Sequence, residues 1–169
     1  MKTLNWVKAV VLASALAVMS SAQAQPVNKV VGAWKMVSAQ IDRGGSRTPA
    51  YGPQPNGMLV FTEDMRFIEV LTDATLPRFA SDVRGEGTVE ENRAAMAVNI
   101  AFFGTYTVDE KGDLSGNRVE GSTFPNWVGS VRTQEQLRIV VEGDRMMEYF
   151  RRPEGSSIVI EWQRLGRAG

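Results

Sequence analysis

Cysteine and histidine are both missing from this 169-residue sequence. Without cysteine there are no disulfides, no thiolate nucleophile and no thiol redox centre. Without histidine there is no imidazole base, no His-based triad and no zinc site of the usual Cys/His type. An excess of one charge is missing too, since Lys and Arg together number 19 and so do Asp and Glu. That balance excludes the basic footprint of a nucleic-acid binder. No stretch beyond the start of the chain is apolar enough to span a bilayer. There is no G-x-S-x-G elbow, P-loop, dinucleotide fingerprint or H-E-x-x-H. Asp109-Glu110-Lys111-Gly112-Asp113 lacks the spacing of a calcium loop and reads as a hairpin turn. No metal and no cofactor are expected.

What is present begins with a leader pattern. Lys2 and Lys8 precede the apolar run Ala9–Ala17, and Ala22-Gln23-Ala24 supplies the A-x-A that a signal peptidase reads. The apolar core is shorter than the roughly 20 residues that a membrane span needs. Residues 1–24 are therefore expected to be a signal peptide cleaved between Ala24 and Gln25. Residues 25–169 are then one periplasmic or secreted domain. Charged residues at 22% and hydrophobic ones at 43% suit an ordinary globular fold.

Beyond the leader the hydrophobic period is two rather than 3.6. Strands are expected at about 32–41, 58–63, 66–72, 100–108, 114–123, 131–142, 145–151 and 157–165. One segment breaks the pattern: Thr88-Val89-Glu90-Glu91 is a capping box that opens a short helix through Val98. The connections after the first, third and fifth strands are long, whereas those after the second, fourth and sixth are tight and acidic. In an up-and-down meander these two sets fall at opposite ends. The expectation is an all-β protein: an up-and-down antiparallel β-barrel of about eight strands, with one short helix between strands 3 and 4. Such a barrel is closed below and gated above. In a closed even-stranded barrel the first and last strands pair antiparallel, which brings Gly32-Ala33-Trp34 against Arg164 at the closed end. There the guanidinium covers the indole.

Alternation from Trp34 places Met36, Ser38 and Gln40 on one face of the first strand. Phe102 and Tyr106 share a face, as do Tyr149 and Arg151, and Trp162 falls with Ile158 and Ile160. A pocket of Met36, Phe102, Tyr106, Tyr149 and Trp162 would take a small, largely apolar molecule, with Ser38, Gln40 and Arg151 as polar handles. The same side chains equally suit a packed interior without a cavity. Tyr51, Phe124 and Trp127 lie in long loops at the gated end, as lid or rim.

Catalysis is a second reading. Glu69, Glu120, Glu148 and Glu161 would supply an acid/base pair for an isomerase or cyclase if two of them pointed inward, with Arg66, Arg118 or Arg138 nearby. Single carboxylates on half-exposed strands ordinarily face solvent, so no catalytic residue is assigned. A third reading is a cell-envelope protein that meets a protein partner through an exposed aromatic rim of Phe124 and Trp127.

Gly32-x-Trp34 with a late-strand arginine resembles the lipocalin and wider calycin pattern. Longer stretches carry more weight: GAWKMVSAQ, YGPQPNGMLVFTEDMRF, FFGTYTVDE and FPNWVGSVRTQEQLRIVVEGDRM occur in this order. Together they are similar to the lipocalin-like domain family of short bacterial and fungal proteins, over nearly all of the chain beyond the leader. The resemblance implies an eight-stranded calyx and small-molecule binding, and little about activity. Many relatives carry histidine near the middle of the fifth strand, where this chain has Asn117-Arg118. No role resting on that imidazole carries over.

Overall fold

The computed structural model describes residues 27–166. The expected leader and its cleavage site lie outside the described residues. Ten strands and one α-helix follow in the order β1 (Gly32–Arg43), β2 (Ser46–Pro49), β3 (Pro55–Phe61), β4 (Arg66–Asp73), α1 (Val89–Val98), β5 (Ile100–Val108), β6 (Leu114–Ser122), β7 (Val131–Thr133), β8 (Leu137–Glu142), β9 (Arg145–Arg151) and β10 (Ser157–Arg164). They form one antiparallel sheet with the order β7-β6-β5-β4-β3-β1-β10-β9-β8, and β2 pairs on the side with β1. The sheet curls into a nearly closed barrel. First and last strands pair from Trp34↔Arg164 to Asp42↔Ser157, and the seam falls between β7 and β8.

The strand count is ten rather than eight for two local reasons. The run 131–142 is interrupted at Gln134-Glu135-Gln136, where the Gln136 amide donates back to Thr133 O at 3.0 Å and closes a turn. The extra β2 follows Gly44-Gly45, both at positive φ (65° and 90°). Asp42 Oδ1 accepts from the Gly45 amide there at 2.7 Å. All four β2 residues are exposed, so burial leaves no hydrophobic alternation in them.

Helix α1 starts on a complete capping box: Glu91 N donates to Thr88 Oγ1 at 3.2 Å, and Thr88 N donates to Glu91 Oε2 at 2.8 Å. It has no buried residue and packs against β4. Among the described residues no helix is long and apolar enough to cross a membrane.

The core fills the barrel. Trp34, Trp162, Tyr106, Leu59, Leu71, Leu114, Met146, Ile158 and Ile160 are all under 2% exposed or at that level. The β1–β3, β4–β5, β6–β7 and β9–β10 connections gather at one end, and the tight β3–β4, β5–β6 and β8–β9 hairpins at the other.

Candidate functional site

The closed end is a stack of backbone and aromatic contacts. The Arg164 guanidinium lies 3.9 Å from the Trp34 ring centroid. It donates to Lys29 O at 2.9 Å and to Val31 O, and Trp34 Nε1 donates to Val30 O at 2.8 Å. Gly32 sits at φ 132°, and a β-carbon there would meet Arg164 Nη1 at 2.8 Å. That close approach makes glycine the residue for the position. Tyr106 belongs to this end as well. Its hydroxyl donates to Thr62 O at 2.7 Å and accepts from Asn28 Nδ2 at 2.8 Å.

Of the residues read as pocket lining, Met36, Phe102, Tyr106 and Trp162 face inward and are buried in the packed core. Ser38 is half-buried. Gln40, Tyr149 and Arg151 do not line the interior, which corrects the alternation reading at three positions. On β1 the register skips Val37, where Met36 pairs Trp162 and Ser38 pairs Glu161. This bulge shifts the alternation by one residue, so Ala39 and Ile41 are buried and Gln40 is exposed. On β9 the inward set is Met146 and Glu148, because they pair with inward Trp162 and Ile160. Tyr149 lies outside under the Arg138 guanidinium, 4.2 Å from its ring centroid, and Arg151 is exposed.

The four strand glutamates divide evenly. Glu120 and Glu161 lie on the outer face, paired with Arg66 at 3.2 Å and Arg145 at 2.7 Å. Glu69 and Glu148 point inward, each only 4% exposed. Glu148 Oε2 accepts from Trp162 Nε1 at 3.0 Å. Their partner is Arg132 of β7, 5% exposed. Its guanidinium lies 4.8 Å from the Phe102 centroid, 4.7 Å from Trp127 and 4.5 Å from Phe150. Arg132 acts on both carboxylates through charge, without a hydrogen bond to either. Burial pushes Glu69 well above the usual carboxylate range, and the Glu148 charge adds to it. Burial likewise raises Glu148, to about 7, against the lowering effect of the Trp162 bond and Arg132. Two acids facing one buried guanidinium reach neutrality by holding one proton between them.

Arg132 was not among the sequence candidates. It sits in a three-residue strand between exposed Val131 and Thr133, an inverted pattern in which the charged residue takes the core position. Asn117, in register between Tyr106 and Arg132, also faces inward, and its Oδ1 has no hydrogen-bond partner.

Above this cluster lies the open end. Tyr51 is held at φ 58° beside Gly52 at φ 84°. Burial raises its phenol, followed by the charges of Glu69 and, less, Glu148, while Arg152 acts in the opposite sense. Tyr51 therefore stands between the acid pair and the mouth. It helps to wall a cleft of about 400 Å³, together with Ile100, Phe124, Trp127, Phe150 and Arg152. Asn99, at the C-cap of α1, and Glu154 complete its polar border. Trp127 is pinned rather than projecting: it stacks edge-on against Phe102 at 5.3 Å, Phe124 at 6.0 Å and Phe150 at 6.2 Å. Phe124 is 40% exposed. The cleft thus has apolar walls with one guanidinium and a phenol in its lining, and Arg132 lies behind the Trp127 and Phe150 rings with the acid pair.

The family model of the lipocalin-like domain matches residues 31–162 of the chain. Among solved structures, a redesigned β-barrel is similar at 11% identity with a TM-score of 0.42, over 84% of this chain and 96% of that one. No curated protein matches.

Proposed function

The chain belongs to the lipocalin-like domain family, and on that premise we propose that it is an exported protein that binds a small, largely apolar molecule at the open end of its barrel. The observation that carries this reading is the cleft of about 400 Å³ between Trp127, Phe124, Phe150 and Tyr51. Its size falls within the range of ligand sites, and its walls are apolar with a few convergent polar groups. Deeper in the barrel, Trp34, Trp162, Phe102 and Tyr106 are at most 3% exposed and occupied with one another. The ligand is therefore held at the open end, above a packed interior.

Titration with N-phenyl-1-naphthylamine tests the reading. Binding is expected at one probe per chain with transfer from tryptophan emission. Trp127→Leu should weaken it by roughly tenfold, the loss of one large aromatic contact. Arg164→Ala, at the opposite end, should leave it unchanged. Binding that ignores Trp127 would reject the site.

A second reading, acid/base chemistry on a substrate held in the same cleft, is favoured by one observation: Glu69 and Glu148 both point inward beside Arg132. Turnover lost in Glu69→Gln with probe binding retained would select it.

A further inference from the structure

On β4 the usual polarity of a strand is inverted. Glu69 turns inward, whereas Ile68 and Val70 stand on the outer face, Ile68 at 48% exposure. The cross-strand neighbours continue the pattern. One row runs Val60–Ile68–Phe103 and the next Met58–Val70–Ala101, across β3, β4 and β5. Phe103 is 50% exposed, and Met58 is exposed beside it. The Phe103 ring lies over Gly121 of β6, where a β-carbon would meet its Cζ at 2.5 Å, so glycine is what lets the ring spread across that strand. An antiparallel sheet that faces water ordinarily puts polar residues at these positions. Single exposed apolar side chains are common, but six in two adjoining rows form a contiguous patch of the kind that marks an interaction surface.

We propose that this face pairs two copies of the chain about a two-fold axis. The first argument is size. With the polar residues around it, Arg66, Thr105 and Arg118 on one side and Asn56 and Thr72 on the other, the face extends from β1 to β6. It measures roughly 24 Å by 25 Å at ordinary strand and residue spacings. That is on the order of 600 Å² a copy, the low end of the range for specific pairs, with an apolar centre and a polar rim.

Charge is the second argument. A two-fold axis lying in the face along β4 sets β3 against β5 of the second copy, and β1 against its β6. Ile68 and Val70 then meet their own counterparts, and Val60 meets Phe103. Lys35, exposed on β1 in the row of Met58, comes over the strand that carries exposed Glu120. Glu120 engages Arg66 through Oε2, which leaves Oε1 to take the ammonium. Symmetry makes this contact twice. The chain has as many acids as bases, so no net charge opposes its self-association. The same balance gives an anionic bilayer no attraction for it.

Sedimentation velocity of the purified protein from about 1 to about 200 μM tests the proposal, a range suited to an interface of this size. The mass is expected to rise from one chain to two. Ile68→Lys should raise the dissociation constant at least roughly tenfold, as expected of a residue on the axis, with the urea midpoint kept near that of the wild type. A charge swap keeps the test open if that variant does not fold. Lys35→Glu and Glu120→Lys should each weaken the dimer several-fold, and the double variant should restore it. Within one chain these residues are four strand spacings apart, about 19 Å, so restoration must arise between copies. A protein that stays monomeric throughout would overturn the proposal. So would a dimer indifferent to both Ile68→Lys and the charge swap. A monomer that pellets with phosphatidylglycerol vesicles, and ceases to do so as Ile68→Lys, would assign the face to a lipid surface and overturn it equally.

Discussion

Glu148 shows how a single side chain makes stability depend on pH. Its carboxyl sits among Trp162, Ile160 and Ile139, and burial raises it from the ordinary 4.5 to about 7. A group raised in the folded state holds its proton where the unfolded chain has lost it. Its contribution is complete below the unfolded value and disappears as pH rises through the folded one. Glu69 acts in the same sense. Asp73 and Glu91 are lowered and so work in the opposite direction, but below that window. The urea midpoint of the protein is therefore expected to fall between about pH 5 and about pH 8. Glu148→Gln should reduce that fall, because the amide oxygen still accepts from Trp162 Nε1 without carrying a charge. A wild-type midpoint that is flat or rises over this interval would contradict the assignment. Arg164 is the structural counterpart at the closed end. Arg164→Ala removes a cation–π contact and leaves the Lys29 and Val31 carbonyls without their donor. A loss of about 2–3 kcal/mol in urea unfolding is expected.

At the scale of elements, what was legible depended on whether the signal was local. The α1 capping box is a four-residue pattern, and the helix runs over Val89–Val98 as that pattern implies. The cap is also the main specific support of α1, which buries no residue in the barrel. Thr88→Ala should cost about 1 kcal/mol of helix stability. Faster amide exchange confined to the first turn of α1, with the β5 and β10 amides unaffected, is the expected outcome. Equal acceleration in the strands would mean that the helix is part of the cooperative core. The β1 bulge shows the opposite case. Nothing in Met36-Val37-Ser38 announces an extra residue, because a bulge is set by the partner strand. Here β10 requires Trp162 opposite Met36 and Ile160 opposite Ala39. Gln40 was misplaced for that reason, and Tyr149 because either face of β9 alternates acceptably until Trp162 chooses Met146.

At the scale of the whole molecule, the segment before β1 belongs to the barrel base. Asn28 reaches Tyr106, Lys29 pairs with Asp113 at 2.9 Å, and the Lys29 amide donates to Gly112 O at 3.0 Å. Gly112, at φ 77°, lets the chain at Val27 approach, since a β-carbon there would come within 1.9 Å of Val27 O. Cleavage after Ala24 would remove none of these contacts. The proposed export therefore predicts a processed protein that begins at Gln25 and unfolds with the same urea midpoint as a version lacking any leader. N-terminal sequencing of envelope-fractionated protein checks it, and an intact Met1 on cytoplasmic protein would refute it.

Alternation of Val, Ile, Phe and Tyr, the placing of turn residues and the unequal loop lengths were enough to determine the antiparallel barrel, its two unlike ends and the meeting of Trp34 with Arg164. All of these follow from periodicity and from the closure of a meander, which are properties of the chain read in order. The sequence did not determine which face of β9 turns inward, the parity change after Met36, or the position of Arg132 among three aromatic rings. Those depend on cross-strand register and on which buried groups must share one interior. Only packing in three dimensions decided that Glu69 and Glu148, 79 residues apart in the chain, share the same guanidinium: a charge enters the core only where another element brings the charge that balances it.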